Sequence, residues 1–144
     1  APHAHIDGVL IAPMVRGGVE TIIGIHMDPV FGPMVMFGLG GTAVELFKDV
    51  AFASAPLTLD KALALVDSVR SSALLKGWRG GPQYDTQALA EALSRLSHFA
   101  VRHADQLAGI DINPFVVKTH GAVCLDALIT MRAGTRSPAA VPAP

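Results

Sequence analysis

The chain has 144 residues, of which 51% are hydrophobic and 16% charged, against about 25% charged in an average globular domain. That length predicts one domain with a real core, and that apolar content excludes a disordered chain. Eleven Lys and Arg against twelve Asp and Glu give a formal charge of −1 with no basic cluster, so neither a nucleic-acid footprint nor a nucleic-acid partner is expected. The longest apolar run, Val9 to Val15, has seven residues, far short of the roughly 20 that a membrane-spanning helix needs. A mean hydropathy of +0.44 fits a piece of a larger assembly with a face that expects a partner. The single cysteine, Cys124, cannot form an internal disulfide, which points to a reducing, cytoplasmic setting. The first residues lack the charged and apolar regions of a secretory signal. The absence of a starting Met fits a chain that begins partway through a longer protein.

Residues 6–53 read as strands and turns. Val9, Ile11 and Pro13 alternate with Leu10, Ala12 and Met14, all apolar, as in a strand covered on both faces. Arg16-Gly17-Gly18 signals a turn, and Val19 to Met27 follows as a second strand. Asp28-Pro29-Val30-Phe31-Gly32-Pro33 is expected to stay outside any ladder, because each Pro lacks an N–H. Met34 to Phe37 is short and apolar, and Gly38-Leu39-Gly40-Gly41 then breaks it. Thr42 to Leu46 and Val50 to Ala53 complete this β-rich half.

The middle is helical. Leu59, Ala62, Leu63, Val66 and Val69 keep helical spacing behind Thr58 as N-cap. Gly77-Trp78-Arg79-Gly80-Gly81-Pro82 forms a glycine-rich loop. A second helix follows Asp85 as N-cap, with Leu89, Ala92, Leu93, Leu96 and Ala100 as its buried stripe. A hairpin then joins Ile110–Lys118 to Ala122–Thr130 through Thr119-His120-Gly121. From Arg132 onward, Ala, Pro, Gly and Ser dominate, as in a tail or linker over 132–144. The order predicts an α+β fold over residues 1–131, a mostly antiparallel sheet with the helices packed on one face.

The hairpin holds the pair with most chemical content. A two-residue turn at Thr119-His120 makes Asn113 and Asp126 cross-strand partners; a turn at His120-Gly121 makes them diagonal neighbours on one face. A three-residue loop breaks that parity. In the two simpler registers an amide oxygen and a carboxylate point the same way, which suits Mg²⁺ completed by phosphates and water. The plainer reading is a solvated polar face. Gly38-Leu39-Gly40-Gly41 offers either main-chain N–H groups for a phosphate or a tight turn. Arg79, flanked by glycines, reads as a bidentate phosphate ligand or as a surface arginine. Glu45 reads as a working carboxylate or as a solvated one. Trp78, Cys124 and Met14, Met27, Met34 and Met36 are expected in the core. None of the six histidines has metal-pair spacing.

Asp111-Ile112-Asn113-Pro114-Phe115-Val116-Val117, followed by Cys124-Leu125-Asp126, resembles the end of the ATP-grasp domain of acyl-CoA synthetases that form ADP or GDP, relatives of the succinyl-CoA synthetase β subunit. The resemblance extends upstream in order: Gly8 to Val15, Gly17 to Glu20, Asp28 to Pro33, Gly38 to Gly41, Val44-Glu45-Leu46 with Lys48-Asp49, and Leu75 to Gly80. It implies Mg²⁺ at Asn113 and Asp126, with ATP (or GTP) bound beside them. Adenine contacts fall to main-chain groups of Ala12, Met14 and Val15, and phosphate contacts to Gly40 and Gly41. Glu45 and Arg79 become the catalytic candidates.

The family's first lobe, with its phosphate-holding lysines, has no counterpart in this sequence. Nor do its CoA-binding and ligase domains, which bind CoA and carry the transiently phosphorylated histidine. The resemblance thus implies a second lobe whose partners are those missing parts and a small organic acid. The isolated chain is expected to be inactive. Two other readings are a different ATP-grasp carboxylate ligase and a non-catalytic packing or assembly module.

Overall fold

A computed structural model of the chain describes residues 8–9, 11–40 and 49–133. Alternation of apolar and small or polar residues builds six strands: β1 (Val19–Asp28), β2 (Gly32–Leu39), β3 (Val50–Ser54), β4 (Leu107–Val117), β5 (Ala122–Cys124) and β6 (Ala127–Met131). They form one antiparallel sheet in the order β3-β2-β1-β4-β5, with β6 also on β4. Two helices, α1 (Leu59–Ser68) and α2 (Thr86–Arg102), lie between β3 and β4 in sequence. The expected α+β architecture is the observed one.

Period-2 alternation decides what each face of the sheet carries. One face presents Ile23 and Ile25 of β1, Val35 and Phe37 of β2, and Ile110 of β4, all buried against Leu65 and Val66 of α1 and Leu89 and Leu93 of α2. The buried stripe of α2 also includes Ala90 and Ser97. Ser97 sits in the core because its hydroxyl is fully engaged: it accepts from Leu57 N–H at 2.8 Å and donates to Ser94 C=O at 2.6 Å. A buried hydroxyl without those partners would be costly.

Both N-caps read from the sequence are present. Thr58 Oγ1 accepts from Lys61 N–H at 3.3 Å, and Asp85 Oδ1 accepts from Ala88 N–H at 2.9 Å. Asp85 does more than cap its helix. Its Oδ2 accepts from Gly121 N–H at 2.8 Å, and its own N–H donates to Lys118 C=O at 2.8 Å. One residue therefore ties the start of α2 to the turn between β4 and β5.

Several expectations are corrected. Residues 11–16 form no strand, and Val9, Ile11 and Met14 are 84%, 90% and 80% exposed. β1 already has β2 and β4 as neighbours, so this run has no ladder to join there. Pro33 does lie in a strand, at the second residue of β2 opposite Met27. The start of a strand tolerates a missing donor, and the Pro33 carbonyl still accepts from Ala55 N–H at 2.9 Å. β2 runs through Gly38 to Leu39 rather than breaking there. Trp78 is 56% exposed, with the Arg79 guanidinium 5.8 Å from its ring centre. Cys124 is exposed because β5 is a short strand at the edge of the sheet. Met27, Met34 and Met36 are only half-buried. The expected strand at 42–46 and the tail beyond Ala133 lie outside the described residues.

The Asp85 carboxyl is held below its ordinary value, first by the Ala88 N–H and then by the Gly121 N–H. A depressed folded pKa means that its stabilisation is present above the unfolded value, near pH 4, and is lost as pH falls through the folded one. Asp85→Ala is expected to cost about 1–2 kcal/mol in urea unfolding at pH 7. The gap to the unaltered protein should close as pH falls below about 4.

Candidate functional site

Among the described residues the second face of the sheet carries no helix. Register assembles it from rows that cross the strands: Phe52, Met36, Gly24, Asp111 and Leu128 in one, and Ser54, Met34, His26, Gly109 and Thr130 in the next. The β2–β3 half of this face is apolar, and the β4 half is polar.

Between the halves lies an open depression of about 230 Å³ lined by Ile22, Gly24, Ile25, His26, Met36, Ile110, Asp111 and Asn113. Gly24 forms its floor, since a Cβ there would come within 2.8 Å of the Ile110 carbonyl oxygen. Only a residue without a side chain lets β1 and β4 approach so closely and leaves the hollow open.

Asn113 reaches this face through an irregularity in β4. Against β1, Thr21 pairs with Phe115 but Ile23 pairs with Ile112, so Asn113 and Pro114 together oppose Ile22 alone. This is a β-bulge, a device that re-aims a side chain and interrupts pairing. Pro114 fits there because a bulge needs no donor from it. The core-facing parity of β4 changes across the bulge, from Ile110 and Ile112 to Phe115 and Val117.

On its other side β4 keeps one register from Gly109 to Val117, after a shift between Leu107 and Gly109. Phe115 pairs with Cys124 and Ile112 with Ala127, and Leu125 N–H donates to Pro114 C=O at 3.0 Å. Asn113 therefore falls opposite Asp126. The turn is the two-residue one at Thr119-His120, closed by Lys118 N–H on Gly121 C=O at 2.9 Å. Directly opposed residues in such a pair have Cβ atoms about 4.5–5.5 Å apart. Both side chains are exposed.

An amide oxygen and a carboxylate at that spacing are hard oxygen donors. They fit Mg²⁺, which is held by one or two carboxylates and completed by phosphates and water rather than by an all-protein cage. Among the described residues no group of three or more His, Cys, Asp or Glu could hold a metal, which excludes a closed zinc-type site there.

The other sequence candidates are not gathered here. Ala12, Met14 and Val15 lie on an irregular segment, Ala12 and Met14 exposed and Val15 half-buried, and none lines the depression. Gly40 N–H is already committed to Glu20 C=O at 2.7 Å, and a Cβ at Gly40 would meet the Glu20 main chain at 3.0–3.1 Å. The expected phosphate cradle therefore has no donor at Gly40, whose missing side chain serves close packing instead. Gly41 and Glu45 lie outside the described residues. Arg79 stands on the glycine-rich loop at φ 54°, ψ 35°, exposed and away from the depression's lining. Sequence reasoning missed His26 and Gly24. Their signal lay in the period of β1, but their proximity to Asp111 depends on a pairing between strands some eighty residues apart.

Residues 1–131 match the ATP-grasp domain family. The chain is 43% identical over 125 residues to acetate–CoA ligase (ADP-forming) I of Archaeoglobus fulgidus, covering 87% of this chain and 18% of that protein. It is 41% identical over 133 residues to the β subunit of acetate–CoA ligase (ADP-forming) II of Pyrococcus furiosus, covering 91% and 56%. Among solved structures it is similar to the dinucleotide-forming acetyl-coenzyme A synthetase 1 of Ca. Korarchaeum cryptofilum in complex with coenzyme A, Ca-AMPCP and HgCl⁺. That match has a TM-score of 0.83 at 42% identity and covers 91% of this chain and 57% of that one. The same enzyme is also known with coenzyme A and Mg-AMPPCP, its phosphohistidine segment pointing towards the nucleotide-binding site. The chain spans little more than half of the β subunit it matches and under a fifth of the single-chain ligase. With its sheet, its helix layer and nearly all of its length matched, the chain belongs to the ATP-grasp domain family.

Proposed function

We propose that this chain is the second lobe of the ATP-grasp domain of an NDP-forming acyl-CoA synthetase, with residues 132–144 as a tail or linker. The whole protein makes acyl-CoA from a small organic acid, CoA and ATP through a phosphohistidine. The single observation that carries the reading is the register of β4, which, carried from Phe115–Cys124 to Ile112–Ala127, sets Asn113 opposite Asp126 beside the hollow floored by Gly24. Support comes from the relatives, which are ADP-forming ligases, and from the Mg-nucleotide analogue and phosphohistidine segment of the Korarchaeum enzyme.

In this reading Asn113 Oδ1 and the Asp126 carboxylate hold Mg²⁺ at the phosphate end of the nucleotide. When bound, the ion neutralises charge on the phosphate oxygens and orients them for in-line transfer. The protein groups position and exclude. The rigid β4 bulge fixes the Asn113 amide, and the apolar wall of Ile22 and Met36 keeps water from one side of the hollow. Main-chain groups of the Ala12–Val15 segment contact adenine once the first lobe closes over this face, with Pro13 unable to donate. Arg79 and Glu45 stand as the further catalytic candidates, and CoA binds elsewhere in the whole protein.

The reading makes two expectations measurable. In the full-length protein, Asp126→Ala should lower turnover and raise the Mg²⁺ requirement, read by a CoA-thioester assay across Mg²⁺ concentrations. The 144-residue chain by itself should make no acyl-CoA and should bind Mg·ATP weakly at most by calorimetry. Correct positioning is worth about 7–11 kcal/mol of a barrier, and one wall of a cleft cannot supply it. Fast thioester formation by the short chain, or an Asp126→Ala enzyme as active as its parent, would overturn the proposal.

A further inference from the structure

Thr21 is the one fully buried polar side chain of β1, and it stands beside the bulge that turns Asn113 outward. Its relative exposure is 0%. Its hydroxyl donates to the Phe115 carbonyl at 2.7 Å, between residues 94 apart in sequence. Thr21 and Phe115 are also the last paired positions before the register slips. On the far side, pairing resumes at Ile23 with Ile112, so the two unpaired residues, Asn113 and Pro114, are confined between two fixed rungs. The hydroxyl adds a second tie to the rung at Phe115, made inside the core where water cannot compete for it.

The bulge has neighbours on both sides but is stitched differently to each. Towards β5 and β6 one register runs from Gly109 to Val117, past the bulge, with Leu125 N–H on Pro114 C=O. Towards β1 the stretch between the two rungs depends on what clamps its ends. Without a clamp, a bulge can migrate along the strand, and each one-residue step moves a side chain to the opposite face. Migration here would take the Asn113 amide off the face it shares with the hollow.

We infer that Thr21 is a positioning residue for the cation site: its buried hydroxyl locks the β4 bulge in place against β1 and so holds the Asn113 amide on the face of the hollow. The inference rests on the reading of Asn113 and Asp126 as Mg²⁺ ligands. It adds a residue that touches neither ion nor nucleotide and acts only through the main chain of Phe115. Supporting partners of metal ligands commonly change metal affinity or activity by 10–100-fold when removed.

The test uses the full-length protein, with thioester formation and Mg-dependent nucleotide binding measured over a range of Mg²⁺ concentrations. Thr21→Val keeps the β-branched shape and deletes only the hydroxyl. It should raise the Mg²⁺ concentration for half-maximal activity about tenfold, leaving turnover at saturating Mg²⁺ close to that of the parent. Thr21→Ser keeps the hydroxyl and should restore the parental Mg²⁺ requirement despite losing a methyl group. A residue that merely filled the core would give the reverse ranking, with Ser the weaker variant and no change in Mg²⁺ dependence for Val. Asn113→Ala separates the two levels of the argument. If it leaves Mg²⁺ dependence intact, the cation reading fails and the role of Thr21 fails with it. If Asn113→Ala is impaired while Thr21→Val has the parental Mg²⁺ requirement, only the role of Thr21 is overturned. Should Thr21→Val and Thr21→Ala both fail to fold, Thr21 belongs to the core and the inference is likewise overturned.

Discussion

The antiparallel pairing of β1 with β4 is the constraint on which the rest of the structure depends. It joins residues 19–26 to residues 109–117 across most of the chain. Three features of the candidate site use it: the close approach at Gly24, the hollow above it, and the bulge opposite Ile22. It also sets the layer order. Once Ile23 and Ile25 of β1 share a face with Ile112 and Ile110 of β4, α1 and α2 cover that face, and among the described residues no helix covers the opposite one. Pairing at this separation carries a large loop-closure cost. The buried apolar rungs on the helix side repay it, so the site inherits its rigidity from the core on the other side of the same strands.

That dependence explains which features were legible in the sequence. The hairpin register of Asn113 and Asp126 is local, set by the turn at Thr119-His120 and the alternation on either side, so the sequence offered it among few alternatives. The caps at Thr58 and Asp85 are local too, and they stand where side-chain chemistry puts them. The β4 bulge was not legible, because it exists only relative to β1. Neither was the hollow, whose walls come from three strands and whose decisive residue is a glycine with no chemistry of its own. The errors at Cys124, Trp78 and Met14 share one cause. An apolar or soft side chain signals burial only when some element covers it, and the short edge strand, the glycine-rich loop and the leading segment are uncovered within the described residues.

The carboxylates separate along the same line. Asp28, Asp49 and Asp85 are all held below the usual carboxylate range by hydrogen bonds from chain turns. The donors are Phe31 and Val30 for Asp28, Ser71 and Arg70 for Asp49, and Ala88 and Gly121 for Asp85. Each is engaged by main-chain N–H donors, Asp49 by the Ser71 hydroxyl as well, and serves as a cap or clasp. Nothing of that kind engages Asp126 among the described residues, and the residue is exposed. A carboxylate with committed lone pairs builds structure. One with open lone pairs beside an amide oxygen is equipped to take a cation.

Phe52 and Leu128 end the row that passes through Gly24, and they are 51% and 65% exposed. Scattered exposed apolar residues need no explanation, but apolar residues at both ends of a row that passes a hollow edged by Asp111 and Asn113 do. Two demands meet on this face. A second wall must cover the apolar rungs for stability, and the oxygen donors at its edge must remain reachable by a charged ligand. A cleft satisfies both, since closing it buries the rungs while keeping a polar channel along β4. Closure would also lower the local dielectric around Asn113 and Asp126, strengthening each charge–charge contact with a bound anion. The exposed apolar ends of that row and the uncommitted oxygens beside it are both features that a cleft with a second wall would use.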